Sequence, residues 1–158
     1  MTAEASSGTD YAVLLGAEGW LHPAWTGVFY PDDLPEDWRL AYYNTQFRAV
    51  FLPHAVWSGA TEAEIRQWVE DTHPGFRFVL EPGPGDAADA SAAILFGDRL
   101  GRIARREDQH LLWFDAQTDL RQLRAVIENA PKPLYLFSRD ADLRALRQVA
   151  TLLELMGY

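Results

Sequence analysis

Apolar residues along this chain fall into short runs and longer helical stripes that alternate. Three short runs bounded by glycine or proline are typical of strands: residues 11–15, 48–52 and 76–80. Between them, residues 36–47 and the segment after Thr61 carry apolar side chains at helical spacing. The first half of the chain therefore predicts the order β-α-β-α-β.

A capping box marks the start of the second predicted helix. Thr61 and Glu64 are three residues apart, so each side chain can satisfy a backbone donor that the first helical turn leaves unpaired. Ile65 and Trp68 then begin one apolar stripe. We expect this helix to end near His73, before Pro74 and Gly75.

A change in composition separates the two halves. Two Pro-Gly pairs in residues 82–85 predict a Pro/Gly-rich linker near residues 81–91. Three further strands are predicted at residues 92–96, 111–114 and 134–137, and two further helices at residues 120–127 and 140–156. The alternation predicts an α/β fold, with a mainly parallel sheet and flanking helices.

The length of 158 residues suits a single α/β domain over residues 11–158, preceded by a flexible N-terminus of residues 1–10. No apolar run approaches the roughly 18 residues that span a bilayer. Residues 1–10 lack the basic start and apolar middle of a secretion signal, so we expect a cytoplasmic protein.

Composition narrows the possible chemistry. The absence of cysteine excludes disulfides and thiolate catalysis, and the net charge of -9 argues against a nucleic-acid partner. A short cationic stretch is the exception, and it fits either a solvated surface or a site for one anionic group: Arg99, Arg102, Arg105 and Arg106. Glycine-rich phosphate loops are missing, and no cofactor is expected.

Four titratable residues each follow a predicted strand by a few positions: Glu18, His22, His54 and Glu81. Because the carboxyl ends of parallel strands meet at one rim, these side chains can converge as an acid-base site or as metal ligands. No HxH or HExxH spacing occurs, so no metal is assigned. The alternative is that these four side chains lie in loops, where they face solvent or make structural hydrogen bonds.

Large aromatic residues gather around the same predicted rim: Trp20, Trp25, Tyr30 and Trp57. Such rings can stack on a ligand, with Arg139 helping to orient it, or they can cover the apolar interior of an open sheet. Both interpretations stay open from the sequence.

Gly19-Trp20 and the segment Trp25-Thr26-Gly27-Val28-Phe29-Tyr30-Pro31 resemble the opening of the DUF72 family. Matches to the family's later strands follow in the same order at residues 49–57, 76–81 and 134–137. The resemblance implies a TIM-like barrel. A complete barrel takes about 250 residues, so we expect an incomplete TIM-like (β/α) barrel of about five or six strands.

The resemblance also implies that polar positions of the family are replaced here. Ala17-Glu18 stands at the family's Thr-Ser pair, and Phe51 and Pro53 stand at its Glu and Asn. Glu81 takes the place of a Lys, and Ser138-Arg139 that of an Asn pair. In the late strand that we expect at residues 92–96, the Arg and His positions correspond to Ile94 and Phe96.

These replacements favour a non-catalytic binding or interaction module derived from a TIM-like barrel. An open sheet leaves strand edges and apolar surface to cover, so a homodimer is expected. The alternative is a hydrolase or isomerase that uses carboxylate/histidine acid-base chemistry on a small polar or phosphorylated ligand. A third hypothesis is a structural subunit whose aromatic rim binds another protein.

Overall fold

The computed structural model describes residues 11–84 and 86–158, and for residues 86–88 it describes the backbone alone. One curled sheet of six parallel strands dominates the fold. Its strands are β1 (Val13–Glu18), β2 (Ala49–Leu52), β3 (Arg77–Leu80), β4 (Leu100–Ile103), β5 (Leu111–Phe114) and β6 (Leu134–Ser138). Their order across the sheet is β4-β3-β2-β1-β6-β5. The predicted incomplete α/β barrel is confirmed as a half-barrel.

Helices flank this sheet. They are α1 (Arg39–Tyr43), α2 (His54–Ser58), α3 (Glu62–Glu70), α4 (Asp86–Phe96), α5 (Leu120–Asn129) and α6 (Leu143–Met156). The capping box is confirmed: the Glu64 backbone N–H donates to Thr61 Oγ1 over 3.1 Å, and the Thr61 N–H donates to Glu64 Oε1 over 2.9 Å. Within the described ranges, no helix is long and apolar enough to cross a membrane.

The predicted strand at residues 92–96 is wrong, because this segment belongs to α4. Five alanines in the helix favour helical backbone, and Ala92 and Phe96 lie one turn apart on a buried face. Ile94, placed at a strand end by the sequence, points outward on α4 and is 82% exposed. The proposed match of Ile94 and Phe96 to a family strand end therefore fails. Helix α4 also takes up residues 86–91, so only the first part of the segment predicted as a linker is non-helical.

Two further elements differ from the prediction, one strand that was not predicted and one helix that is shorter. Strand β4 was missed because Leu100-Gly-Arg-Ile has neither an apolar run nor a clear alternation, and all four residues are half-buried at a sheet edge. The helix predicted over residues 36–47 is a 3-10 turn, Glu36–Trp38, followed by the short α1. It stops early because Asn44 and Thr45 bond backward to the carbonyls of Ala41 and Tyr42.

The concave side of the sheet has a core of its own. Its buried residues are Leu14, Ala49, Phe51, Val79, Ala104, Leu111, Tyr135 and Phe137. The Phe51 ring lies 5.1 Å from the Trp113 ring and 5.8 Å from the Phe137 ring, centroid to centroid. Side chains thus fill the interior of the half-barrel, as they fill a complete small barrel.

The segment between β4 and β5, residues 104–110, joins the two opposite edges of the sheet; we call it the strap. Arg102 Nε of β4 donates to Asp108 Oδ1 of the strap over 3.1 Å. Trp113 Nε1 of β5 donates to the Arg106 carbonyl over 2.9 Å, and the Tyr135 N–H of β6 donates to the His110 carbonyl over 2.8 Å. The strap therefore crosses the open side of the half-barrel and is anchored at both of its ends.

Candidate functional site

Two predicted carboxylates meet at the carboxyl end of the sheet. Glu18 is the last residue of β1, and Glu81 directly follows β3. Arg106 of the strap donates to both carboxylate oxygens of Glu18, with Nη1 to Oε1 at 2.6 Å and Nη2 to Oε2 at 3.1 Å. Arg106 Nε also lies 3.4 Å from Glu81 Oε2. One guanidinium group thus bridges both acids.

Two aromatic rings support this guanidinium group. The Arg106 Cζ atom lies 4.9 Å from the centre of the Phe51 ring and 5.3 Å from that of Trp113. Such distances allow an attractive cation-π contact. We call this set the carboxylate-arginine site: Glu18, Glu81, Arg106, Phe51 and Trp113.

The site remains open to solvent. The Arg106 side chain is 43% exposed, and those of Glu18 and Glu81 are each 31% exposed. Hydrogen bonding to Glu18 is the main cause that raises the pKa of Arg106 above its ordinary value, while partial burial opposes it. The Arg106 guanidinium group therefore carries its positive charge at every physiological pH.

The two predicted histidines lie beside these acids in different ways. The His54 backbone N–H donates to Glu81 Oε1 over 3.1 Å, and its ring packs edge-on against Trp57. His22 Nε2 lies 3.2 Å from the Gly19 carbonyl oxygen. Burial is the main cause that lowers the pKa of His22, against hydrogen bonds and the Glu18 charge that raise it. No hydrogen bond between either imidazole and a carboxylate is seen within residues 11–84 and 86–158.

The four predicted ligand-binding aromatics are all buried: Trp20, Trp25, Tyr30 and Trp57. Three of their polar atoms are already bonded. Trp25 Nε1 donates to the Ala141 carbonyl over 2.8 Å, Tyr30 Oη to the Trp20 carbonyl over 2.6 Å, and Trp57 Nε1 to the Glu81 carbonyl over 2.9 Å. These contacts tie the rim loops to the core, and a ligand would reach the rings only after the loops moved.

Arg139 directly follows β6, and its side chain lies near a different acid, Asp115. Its side chain is 59% exposed, and its Nη1 atom is 3.9 Å from Asp115 Oδ2. In the described part of the chain, no group of three or more metal-ligating side chains comes together.

Arg106 is the site residue that the sequence did not single out. It belonged to a cationic stretch, yet its partner Glu18 lies 88 positions earlier. Finding this pair requires both the position of β4 and the path of the strap. No local pattern in the sequence carries either of them.

Comparison with known proteins supports the resemblance seen in the sequence. A family model described as a protein of unknown function, DUF72, matches residues 14–82. A solved DUF72 family protein from Thermotoga maritima aligns at a TM-score of 0.48 and 20% identity, covering 82% of this chain but 55% of that chain. Comparison with curated proteins gives no match. The match of the family model confirms the resemblance over residues 14–82.

Proposed function

We propose that this chain is a non-catalytic binding module built on a shortened DUF72-like half-barrel. The observation that carries the proposal is the bridge from Arg106 to both Glu18 and Glu81. A general acid or base must direct its proton-transferring atom at the substrate. Here Arg106 takes both oxygens of one candidate and approaches an oxygen of the other.

The packing of the concave face supports the same conclusion. Phe51 and Phe137 are fully buried and occupy the barrel interior beneath the acids. Phe51 also fills the position at which the family resemblance implies a carboxylate. An apolar ring there supplies surface for packing or stacking and has no proton to exchange.

One observation favours the alternative function, a hydrolase or isomerase acting on a small polar or phosphorylated substrate. Glu18 and Glu81 lie close enough to share one cation, and His54 adjoins Glu81. Two neighbouring carboxylates can divide acid and base roles. That function requires the Arg106 side chain to leave the acids before chemistry begins.

Turnover measurements separate the two functions. Wild type, the double variant E18Q/E81Q and the surface control E154Q are assayed on nitrophenyl esters, nitrophenyl phosphate and sugar phosphates. We expect no turnover in wild type above that of E18Q/E81Q. Turnover that is present in wild type and E154Q but lost in E18Q/E81Q establishes the enzyme and refutes the binding module.

We further propose that the module pairs with a second copy of itself, in the cytoplasm. Strands β4 and β5 are the two ends of the described sheet, and Val28 and Trp38 leave 65% and 63% of their surface exposed. Apolar side chains of this size favour burial in an interface. Sedimentation is expected to show a dimer that W38S weakens. A monomer at all concentrations contradicts this part of the proposal.

A further inference from the structure

The carboxylate-arginine site has the features of a seat for a planar cation. A guanidinium group presents two parallel N–H donors, which match the two oxygens of a carboxylate. Glu18 accepts both donors of one edge, and Glu81 lies beside the Nε atom. Phe51 and Trp113 add ring faces to the seat. Every wall of the seat comes from residues other than Arg106.

The Arg106 side chain can leave this seat without releasing the strap. The strap is held by the bond from Arg102 to Asp108 and by the bond from Trp113 to the backbone carbonyl of residue 106. Neither bond uses the guanidinium group. The side chain is already 43% exposed, so its departure breaks contacts of the guanidinium group and neither of these two bonds of the strap.

We propose that the seat formed by Glu18, Glu81, Phe51 and Trp113 binds the guanidinium group of a ligand, and that Arg106 is an internal competitor for it. This inference rests on the proposed binding function and names its ligand class. The seat lies at the carboxyl ends of parallel strands, where α/β sheets bind their ligands. When the Arg106 side chain turns away, the two carboxylates of Glu18 and Glu81 also give the site a net negative charge, which attracts a cation.

Competition by Arg106 has a measurable consequence. The apparent affinity for a ligand falls by the fraction of molecules in which the seat is free. If the seat is open a tenth of the time, removing Arg106 tightens binding about tenfold. The variant R106A therefore gives the ligand affinity of the empty seat, and comparison with wild type shows how far Arg106 lowers that affinity.

The experiment is a titration of R106A and wild type with methylguanidinium and with N-acetyl-arginine amide. Binding is measured by isothermal titration calorimetry and by tryptophan fluorescence. R121A is the matched control, because Arg121 is an exposed arginine on α5. Urea is planar but neutral, and tetramethylammonium is charged but lacks N–H donors, so both are control ligands. The two guanidinium compounds distinguish a small guanidine from the arginine of a peptide.

We expect R106A to bind a guanidinium compound at least about tenfold more tightly than wild type or R121A. The double variant E18Q/R106A should lose this gain, and the control ligands should not bind. Tighter binding of the arginine amide identifies a peptide source, and equal binding identifies a small guanidine; both support the seat. The proposal is overturned if R106A does not bind guanidinium compounds, or if E18Q/R106A binds them as tightly as R106A does. Equal guanidinium affinity in wild type and R106A overturns the role of Arg106 as a competitor.

Folding of R106A is checked by circular dichroism, and R106K serves as a second variant. Lysine keeps the positive charge but cannot form the two-pronged contact, so R106K should show a smaller gain in guanidinium affinity. If R106A does not fold, the proposal is overturned when R106K binds guanidinium compounds no more tightly than wild type. The turnover and sedimentation experiments above do not depend on this result, so failure of the seat and failure of the binding module are distinguishable.

Discussion

At the scale of single residues, the Tyr43 hydroxyl joins the two central strands. It donates to the Ala49 carbonyl over 2.7 Å and accepts from the Ala17 N–H over 2.8 Å, with no exposed surface. Gly16 makes room for this contact, because a side chain there would meet the Ala49 carbonyl oxygen and the Tyr43 hydroxyl. Burial is the main cause that raises the pKa of Tyr43, so the hydroxyl stays protonated and remains a donor.

Removing this hydroxyl tests its contribution. Y43F leaves the Ala17 N–H and one Ala49 acceptor site buried without this partner, which costs about 1–3 kcal/mol. Urea unfolding should show a lower free energy of unfolding with an unchanged denaturant slope. Y158F is the control, since the Tyr158 side chain is 40% exposed, and it should match wild type. Equal stability of Y43F and wild type contradicts the proposed link between β1 and β2.

The sequence located some site residues better than others. It predicted that Glu18 and Glu81 lie near one rim, because each follows a predicted strand of a parallel sheet by a few positions. The structure places both beside Arg106. It left open whether Trp25 and Trp57 bind a ligand or pack. That choice depends on which carbonyls lie near their indole N–H groups, and those carbonyls belong to distant segments.

At the scale of elements, α4 shows how a buried apolar run can be misassigned. The residues Ala92-Ala-Ile-Leu-Phe96 resemble a strand when only their hydrophobicity is considered. Their burial follows a helix, because Ala92 and Phe96 are buried while Ile94 is exposed. Phe96 packs 5.0 Å from the Phe78 ring of β3, which anchors α4 on the outer face of the sheet.

Truncating two side chains of α4 distinguishes the helix from a strand. F96A removes a fully buried ring and should cost about 3–5 kcal/mol. I94A, on the same helix, removes an exposed side chain and should change stability by less than about 0.5 kcal/mol. Thermal unfolding of both variants checks the difference. A large loss in I94A contradicts the helical face.

The strap is the second element whose contacts matter, and Asp108 is its anchor. Burial pushes the pKa of Asp108 upward, but the hydrogen bonds from the His110 N–H and Arg102 outweigh it, so the pKa lies below its ordinary value. A depressed pKa in the folded state means that the ionised form stabilises the fold above the unfolded pKa of about 3.9. This stabilisation is lost as the pH falls through the lower, folded value.

A pH series measures this contribution. Wild type should lose stability as the pH falls from about 5 toward the folded pKa of Asp108, and D108N should show a smaller loss. At pH 7, D108N should be less stable by about 1 kcal/mol, since the pair is partly exposed. D98N is the control, because Asp98 is paired with Arg99 but its side chain is 81% exposed. Identical pH profiles of wild type and D108N refute the anchoring role.

At the scale of the whole molecule, the sheet curls so that the Tyr135 side chain of β6 reaches Gly101 of β4. A Cβ atom placed on Gly101 of β4 would lie 2.6 Å from the Tyr135 hydroxyl of β6 and 3.0 Å from the Arg77 Cβ atom. Strands β4 and β6 are separated by three others in the sheet, so this contact spans the interior. The Tyr135 side chain therefore fills part of the half-barrel interior, and the strap crosses its open side.

A double-mutant cycle tests this closure. G101A introduces a methyl group against Tyr135 and should cost about 1–3 kcal/mol through overpacking. Y135F removes the hydroxyl that the methyl group meets, so G101A should cost less in the Y135F background. Equal costs in both backgrounds contradict a contact between β4 and β6. Urea unfolding of the four proteins supplies the comparison.

The sequence by itself determined the α/β class, most strands, the two C-terminal helices and the capping box of α3, because these depend on hydrophobic period and on side chains a few positions apart. Its length also predicted fewer than eight strand-helix units, and the described sheet has six strands. Tertiary structure alone decided the edge strand β4 and the bridge from Arg106 to Glu18 and Glu81. Both depend on contacts between segments far apart in the chain, where packing and charge pairing override local preference. The helical state of α4 agrees with its alanine-rich sequence, but only its burial pattern distinguished it from an apolar strand.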